Sequence, residues 1–133
     1  MLELLIIALI LAILVALSLP QFTVSKERAL GKEANATLKL IAGAERIYRR
    51  EAAVFFPYGA AVSDINAINR NLSLSLLNLS WNYNISANAT ALTINATRNL
   101  TSGAYKDCNY TLTFDLGSAS NPEEPTSSPA CPD

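Results

Sequence analysis

The hydrophobic pattern divides the chain into an apolar segment, an amphipathic segment and several alternating segments. After Glu3 no charged residue occurs until Lys26, so residues 4–25 form a 22-residue uncharged stretch. As a helix with a rise of about 1.5 Å per residue, this stretch would measure roughly 33 Å, enough to cross a bilayer core. A secretory signal peptide would place a basic region before the apolar run and a small-residue cleavage site after it. We expect instead that residues 1–25 form a hydrophobic helix that lies in a membrane and is later buried against copies of itself.

Residues 26–52 continue this helix with one apolar face. Apolar residues recur every three or four positions, the spacing of one side of an α-helix. Charged residues lie mainly on the other faces. The pattern predicts one helix from about residue 2 to about residue 52, bent at Pro20 because proline removes a backbone hydrogen bond. Gly31 and Gly43 add flexibility, each at about 1 kcal/mol relative to alanine. The predicted inner face comprises Leu30, Ala34, Leu38, Ile41, Ala44 or Glu45, Tyr48 and Ala52, and the predicted outer charges are Lys26, Glu27, Arg28, Lys32, Glu33, Lys39, Arg46, Arg49 and Arg50.

Residues 53–78 are predicted to be a connecting loop with a short helix. The stretch Phe55-Phe56-Pro57-Tyr58-Gly59 breaks the long helix, and Ser63-Asp64 resembles the N-cap of a helix that ends near Arg70. Four leucines that follow, Leu72, Leu74, Leu76 and Leu77, predict a loop packed onto the domain.

Residues 79–117 contain three segments in which apolar and polar residues alternate, at about 79–86, 92–97 and 109–116. A period of two predicts strands of an antiparallel sheet that is covered on one face. Residues 118–133 are rich in Ser, Pro and Glu and are predicted to form an irregular tail. The sequence therefore predicts an α+β fold in which a long N-terminal helix packs on a small antiparallel sheet.

The first helix carries a resemblance to a known family. Glu3-Leu4-Leu5-Ile6-Ile7, the Ala/Ile/Leu run and Leu19-Pro20-Gln21-Phe22 resemble the N-terminal helix of bacterial type IV pilins and their pseudopilin relatives. The match is close over residues 2–25 and looser to about residue 52. Glu3 and Pro20 keep the family's seventeen-residue separation. The family usually has four residues before the glutamate and this chain has two, so either the first residues are missing from this sequence or the processing site differs.

The resemblance implies a pilin-like fold and a structural subunit of an extracellular type IV pilus, or fimbrium, that serves adhesion, motility or a related surface function. In that family a prepilin peptidase removes a leader, the new N-terminus is methylated, and the glutamate sets the register between subunits. The residues implied in assembly here are Met1, Glu3 and Pro20. The implied partners are other copies of the chain, the inner membrane before assembly, the prepilin peptidase and the pilus assembly machinery.

Glu3 also suggests assembly on physical grounds. A carboxylate on an apolar helix is stabilised by a nearby ammonium, and the N-terminus of an adjacent subunit supplies one. Shifting one helix along another would leave the acid unpaired among apolar side chains, so the pair fixes axial register. The alternative is that Glu3 is an interfacial residue at the end of a simple anchor.

Composition gives no sign of an enzyme. The chain has no histidine, which removes the commonest general base and metal ligand, and we recognise no catalytic constellation, cofactor motif or metal motif. The net charge of −1 without a basic cluster gives no direct nucleic-acid signal. The Glu123-Glu124 pair in the proline-rich tail is more often solvated charge than a metal site. The five acids that could form a loop calcium site are Asp64, Asp115, Glu123, Glu124 and Asp133.

Cys108 and Cys131 are the only cysteines, 23 positions apart. They are either two free thiols or one disulfide, and an exported, loop-rich setting favours a disulfide that closes the C-terminal tail.

Acceptor sequons for N-glycosylation are far more numerous than expected. Eight of twelve asparagines begin Asn-x-Ser/Thr, where composition alone (12 × 21/133) predicts about two. The alternative is that an Asn/Ser/Thr-rich sheet surface generates the motif by alternation. Bacterial oligosaccharyltransferases often need an acid two residues upstream, which only Asn35 and Asn109 have. The candidates are Asn35, Asn71, Asn78, Asn84, Asn88, Asn95, Asn99 and Asn109.

Two other functions remain open. A pseudopilin of a type II secretion system shares the N-terminal helix, although its major form typically carries a calcium loop that does not match here. A membrane-tethered binding domain that never polymerises would use Trp81, Tyr83 and Tyr110 as a ligand surface, but their alternation favours the core.

Overall fold

A computed structural model describes residues 2–117 and 124–132, with the side chains of residues 17–20 outside the description. One α-helix, α1, runs from Leu2 to Ala52, and the chain leaves it at Ala53, which has a φ of 62°. The predicted single helix over residues 2–52 is confirmed. Its backbone is helical through residue 20, whereas Met1 and the Pro20 side chain lie outside the described part, so the bend stays a prediction.

A five-stranded antiparallel sheet follows, with its strands in chain order from one edge to the other. The three alternating segments form its three long central strands, as predicted. Two short edge strands were not predicted, and they arise from the connecting segment and from the tail. The strands are β1 Ala61–Val62, β2 Trp81–Ala87, β3 Ala91–Arg98, β4 Asn109–Asp115 and β5 Thr126–Ser127.

A short helix, α2, spans Ile65–Leu72 between β1 and β2. Asp64 is its N-cap, as predicted, and a carboxylate oxygen of Asp64 accepts a hydrogen bond from the Asn66 N–H at 3.0 Å. The predicted leucine loop is partly right. Leu72 is the buried last residue of α2, Leu74 and Leu76 pack at the edge of the core, and Leu77 is 71% exposed.

The domain half of α1 lies on the inner face of the sheet. Ile94 pairs with Ile85 on one side and with Leu112 on the other, so the inner face carries a continuous apolar row. Ala34, Leu38 and Ile41 of α1 are fully buried in the same cluster, on the helix face that the sequence predicts. Each large side chain buried there stabilises the fold by about 1.5–3 kcal/mol. The fold is therefore α+β, with one core between the second half of α1 and the sheet.

Cys108 and Cys131 form a disulfide. Cys108 precedes β4 and Cys131 follows β5, so the bond ties the tail to the edge of the sheet. In the chain-entropy description, closing a loop of this length stabilises the fold by about 3 kcal/mol.

Candidate functional site

The first half of α1 is an exposed apolar surface. The most apolar 18-residue window of this helix is 0% buried, and by length and composition the helix is able to cross a membrane. Contiguous apolar patches above a few hundred Å² on a protein usually mark contact with a membrane or another protein. The exposed large side chains of this half are Leu2, Leu4, Leu5, Ile6, Ile7, Leu9, Ile10, Leu11, Ile13, Leu14, Val15 and Phe22.

Glu3 lies in the first turn of this surface and is exposed. A negative charge is favourable at the N-terminal end of a helix, where the backbone N–H groups are unpaired. Among the described residues Glu3 has no ion-pair partner within the chain. The described part of the chain therefore supplies no counter-charge to this carboxylate.

A buried ion pair lies where the apolar half of α1 leaves the domain. The carboxylate of Glu27 accepts two hydrogen bonds from Arg98, at 2.9 and 3.0 Å, and the two side chains are 9% and 7% exposed. Arg98 also donates to the carbonyl of Ser80 at 2.6 Å and lies 5.4 Å from the centre of the Trp81 ring. The indole N–H of Trp81 donates to the carbonyl of Leu30 at 3.1 Å. These contacts fix the helix to the sheet at the base of the domain.

This ion pair corrects the placement of Glu27 on an outer face of the helix. Glu27 faces the sheet because Arg98, at the end of β3, supplies two donors that satisfy both carboxylate oxygens. The partners are 71 residues apart in sequence, so no local pattern could have paired them.

Glu45 is a second buried acid, one of the two residues predicted for the inner face at that turn, and it is 0% exposed. One carboxylate oxygen accepts a hydrogen bond from the Phe56 N–H at 2.9 Å, and the other is buried without a partner in the described part of the chain. Burial raises the pKa of the Glu45 carboxyl to about 7, against the opposing effect of the Phe56 hydrogen bond. Glu45 thus holds the start of the connecting segment to the end of α1.

The aromatic side chains considered as a ligand surface lie in the core. Trp81, Tyr83 and Tyr110 are 1%, 3% and 7% exposed. Burial raises the pKa of both tyrosine hydroxyls above the usual value of 10. Their assignment to the core is confirmed, and they offer no open surface to a ligand.

The acids considered for a calcium loop are apart from one another where they are described. Asp64 caps α2, a carboxylate oxygen of Asp115 accepts a hydrogen bond from the Gly117 N–H, and Glu124 pairs with Lys39 at 2.6 Å. Within residues 2–117 and 124–132 no group of three potential metal ligands comes together. Glu123 and Asp133 lie outside the described residues.

The eight sequons fall into two structural groups. Asn71, Asn78, Asn88 and Asn99 are exposed, whereas Asn35, Asn84, Asn95 and Asn109 are half-buried. On the outer face of the sheet Asn84 lies directly opposite Asn95, as their strand alternation requires.

Asn88 and Asn35 represent the two groups. Asn88 is in the β2–β3 connection, where its side-chain oxygen accepts hydrogen bonds from the N–H groups of Thr90 and Ala91 at 2.9 and 2.7 Å. The side-chain oxygen of Asn35 on α1 is buried without a partner among the described residues. Asn35 and Asn109, the two with an upstream acid, are thus both half-buried.

Three arginines at the end of α1 form a cluster that the sequence interpretation missed. Arg46, Arg49 and Arg50 line one cleft together with Phe55 and Phe114. The spacing of three and four residues was a readable signal, because such residues are neighbours on a helix. Phe114 comes from β4, 64 residues after Arg50, and gave no such signal.

No protein-family model, curated protein or solved structure matches this chain.

Proposed function

We propose that this chain is a structural subunit of an extracellular filament of the type IV pilus kind, with a major pilin as the preferred role. The observation that carries the proposal is the division of α1. Its first half is apolar and exposed, and its second half forms the core of a small α+β domain. A helix of this design favours polymerisation through the exposed half, with the domains on the outside.

The assembly would rest on contacts between exposed helices. Packing of these helices replaces contacts with lipid by contacts with protein, and Glu3 pairs with the N-terminal ammonium of a neighbouring copy. A head-to-tail contact of this kind that does not close produces a filament instead of a ring. The pairing sets the register, because a displaced helix would leave the carboxylate unpaired in an apolar environment.

Before assembly the chain would lie in the inner membrane, anchored by residues 1–25. In this proposal a prepilin peptidase and the pilus assembly machinery act on it there, and the mature subunit is exposed at the cell surface. Methylation of the mature N-terminus and loss of helical structure near Pro20 on assembly are parts of the same proposal.

Replacement of Glu3 tests the proposal directly. We expect Glu3→Ala to reduce the yield of sheared filaments strongly while the domain keeps its disulfide and its Trp81 fluorescence. Glu33→Ala is the matched control, because Glu33 is an exposed acid on the domain half of the same helix. A normal filament yield for Glu3→Ala would contradict the register argument.

A membrane-tethered domain is the second candidate, since a single exposed apolar helix is also sufficient for an anchor. Helical reconstruction by cryo-electron microscopy of filaments from the native cells separates the two. Density for packed helices and for Trp81 supports the pilin proposal. Absence of the chain from filaments, with retention in the membrane, supports the tethered domain or a type II secretion pseudopilin.

We also propose that the outer surface of the domain carries N-glycans. The excess of sequons and the exposure of Asn71, Asn78, Asn88 and Asn99 support this proposal. Asn88 is the most favourable position, because its side-chain oxygen is held by backbone N–H groups at an exposed connection. Peptide mapping should locate glycans first at Asn88, and a native intact mass equal to that of the bare polypeptide would exclude glycosylation.

A further inference from the structure

The C-terminal end of α1 carries a cleft of about 390 Å³ that the filament proposal does not use. It lies at the opposite end of the domain half from the Glu27–Arg98 pair, where the apolar segment leaves. Its lining is Arg46, Arg49, Arg50, Ala53, Phe55 and Phe114. We call it the arginine cleft.

The arginine cleft concentrates positive charge without an internal counter-charge. None of its three arginines forms an ion pair with an acid in the part of the chain that the structure describes. The Nε–H of Arg49 is buried and has no hydrogen-bond partner there. A buried donor without an acceptor is unfavourable, so an acceptor that reaches this N–H from the cleft would remove an existing penalty.

Two phenylalanine rings hold the guanidinium groups in place. The guanidinium carbon of Arg46 is 4.9 Å from the centre of the Phe114 ring, and that of Arg49 is 5.0 Å from the centre of the Phe55 ring. An aromatic face attracts the cation but leaves the in-plane N–H donors available. The rings therefore reduce the freedom that the arginines would lose on binding a ligand.

Helix stabilisation alone does not explain this arrangement. Basic residues in the last turn are favourable because the helix C-terminus has a partial negative charge, and this accounts for Arg49 and Arg50. The effect fades within one turn, so it does not account for Arg46 over Phe114. It also gives no partner to the buried Nε–H of Arg49.

We propose that the arginine cleft binds a phosphate group. Planar guanidinium forks match the oxygens of phosphate, and a tetrahedral dianion accepts donors from three directions at once. A single carboxylate has two oxygens in one plane and suits one fork, so a cleft that is lined by three arginines favours phosphate. The ligand is either free inorganic phosphate or a phosphate monoester within a larger molecule.

Calorimetric titration of the full chain in detergent tests this proposal, with inorganic phosphate and glycerol phosphate as probes at constant ionic strength. We expect saturable binding that Arg46→Gln and Arg49→Gln each weaken about tenfold or more, since a hydrogen bond to a charged group contributes about 1.5–3 kcal/mol. Arg50→Gln changes an exposed arginine of the cleft and serves if either of the other two variants fails to fold. Arg70→Gln is the matched control, because Arg70 is an exposed arginine on α2 outside the cleft.

The outcomes separate the possible ligands. Tighter binding of inorganic phosphate indicates free phosphate, and tighter binding of glycerol phosphate indicates a monoester. Equal affinity shows that the phosphate group alone is recognised, and each of these three results supports the proposal. No saturable binding by the folded chain would overturn it, as would equal weakening by Arg70→Gln. Self-association that the cleft variants abolish, without phosphate binding, would overturn it in favour of a carboxylate from a second copy.

Discussion

The protonation state of Glu45 depends on the burial of its carboxyl group in the fold. Its carboxylate has left water for the core and receives a single hydrogen bond, from the Phe56 N–H. The loss of hydration outweighs this bond, so the pKa of the carboxyl rises to about 7 from the usual 4.5. The folded protein therefore holds a proton on Glu45 at pH values where the unfolded chain has released it.

The sign of the pH dependence follows from proton binding. Between pH 4.5 and about 7 the folded state binds more protons at Glu45 than the unfolded state does, so this group lowers the free energy of unfolding as pH rises. The loss continues through the folded pKa, is nearly complete at about pH 8 and amounts to roughly 3 kcal/mol in all. The contribution of this residue to stability is greatest at acidic pH.

Glu45→Gln isolates this effect, because glutamine keeps an oxygen for the Phe56 N–H and cannot ionise. We expect the variant to be more stable than the original chain at pH 8 and nearly equal to it at pH 4.5. Urea unfolding followed by Trp81 fluorescence at several pH values measures the difference. A difference that is independent of pH would contradict the raised pKa.

At the scale of elements, the two glycines in α1 have different surroundings. Gly31 is buried against the hydroxyl end of Tyr110 on β4, and a Cβ there would overlap that side chain. Gly43 has no atom within 4 Å of the position that a Cβ would occupy. Gly31 therefore permits close approach of helix and sheet, whereas Gly43 only weakens the helix.

Alanine at these two positions should have opposite effects. Gly31→Ala must displace Tyr110, which packs edge-on against Trp81, and overpacking of this kind is destabilising by about 1–3 kcal/mol. Gly43→Ala should stabilise the chain by about 0.5–1 kcal/mol, because alanine loses less backbone entropy in a helix. Thermal unfolding of both variants makes the comparison, and a shift in the same direction for both would contradict this account.

Local periodicity predicted the elements that have enough residues to show a period. The helix face through Leu38 and the alternation through Ile85, Ile94 and Leu112 are such patterns, and the structure confirms them. Strands β1 and β5 have two residues each, too few to display an alternation. Their positions depend on pairing with neighbouring strands, which is a tertiary property.

Charged residues were harder to place than apolar ones. The sequence indicated an acid near position 45 on the inner face, but only the distant chain segment around Phe56 decides whether the carboxylate is satisfied. Glu27 was placed outside because its partner, Arg98, is on another element. The proposed assembly surface was easier to predict, because the uncharged run from residue 4 to residue 25 can be recognised in the sequence without knowledge of any tertiary contact.

At the scale of the whole molecule, the two halves of α1 have different surroundings: the described side chains of the first half are exposed, and the second half packs on the sheet. Glu27 is the first buried residue of the described chain, and every member of the core cluster lies at or beyond Leu30. Residues 2–16 and 21–22 therefore contribute exposed surface to the isolated chain and no core. In the proposed filament, folding of the domain and burial of the apolar half would therefore be separate events.

Removal of residues 1–22 should leave a folded, soluble, monomeric domain, because the described side chains of the deleted segment lie outside the core. Size-exclusion chromatography with light scattering measures the mass, and Trp81 fluorescence measures unfolding.

In the same truncated chain, Glu27→Ala should lower the free energy of unfolding by about 3–5 kcal/mol, since it leaves Arg98 buried without its counter-charge. Comparison of the truncated chain with and without Glu27→Ala shows whether the Glu27–Arg98 pair or the deleted segment holds the helix on the sheet. Aggregation or unfolding of the truncated chain without detergent would mean that the apolar half stabilises the domain, and that the two halves of α1 are not independent.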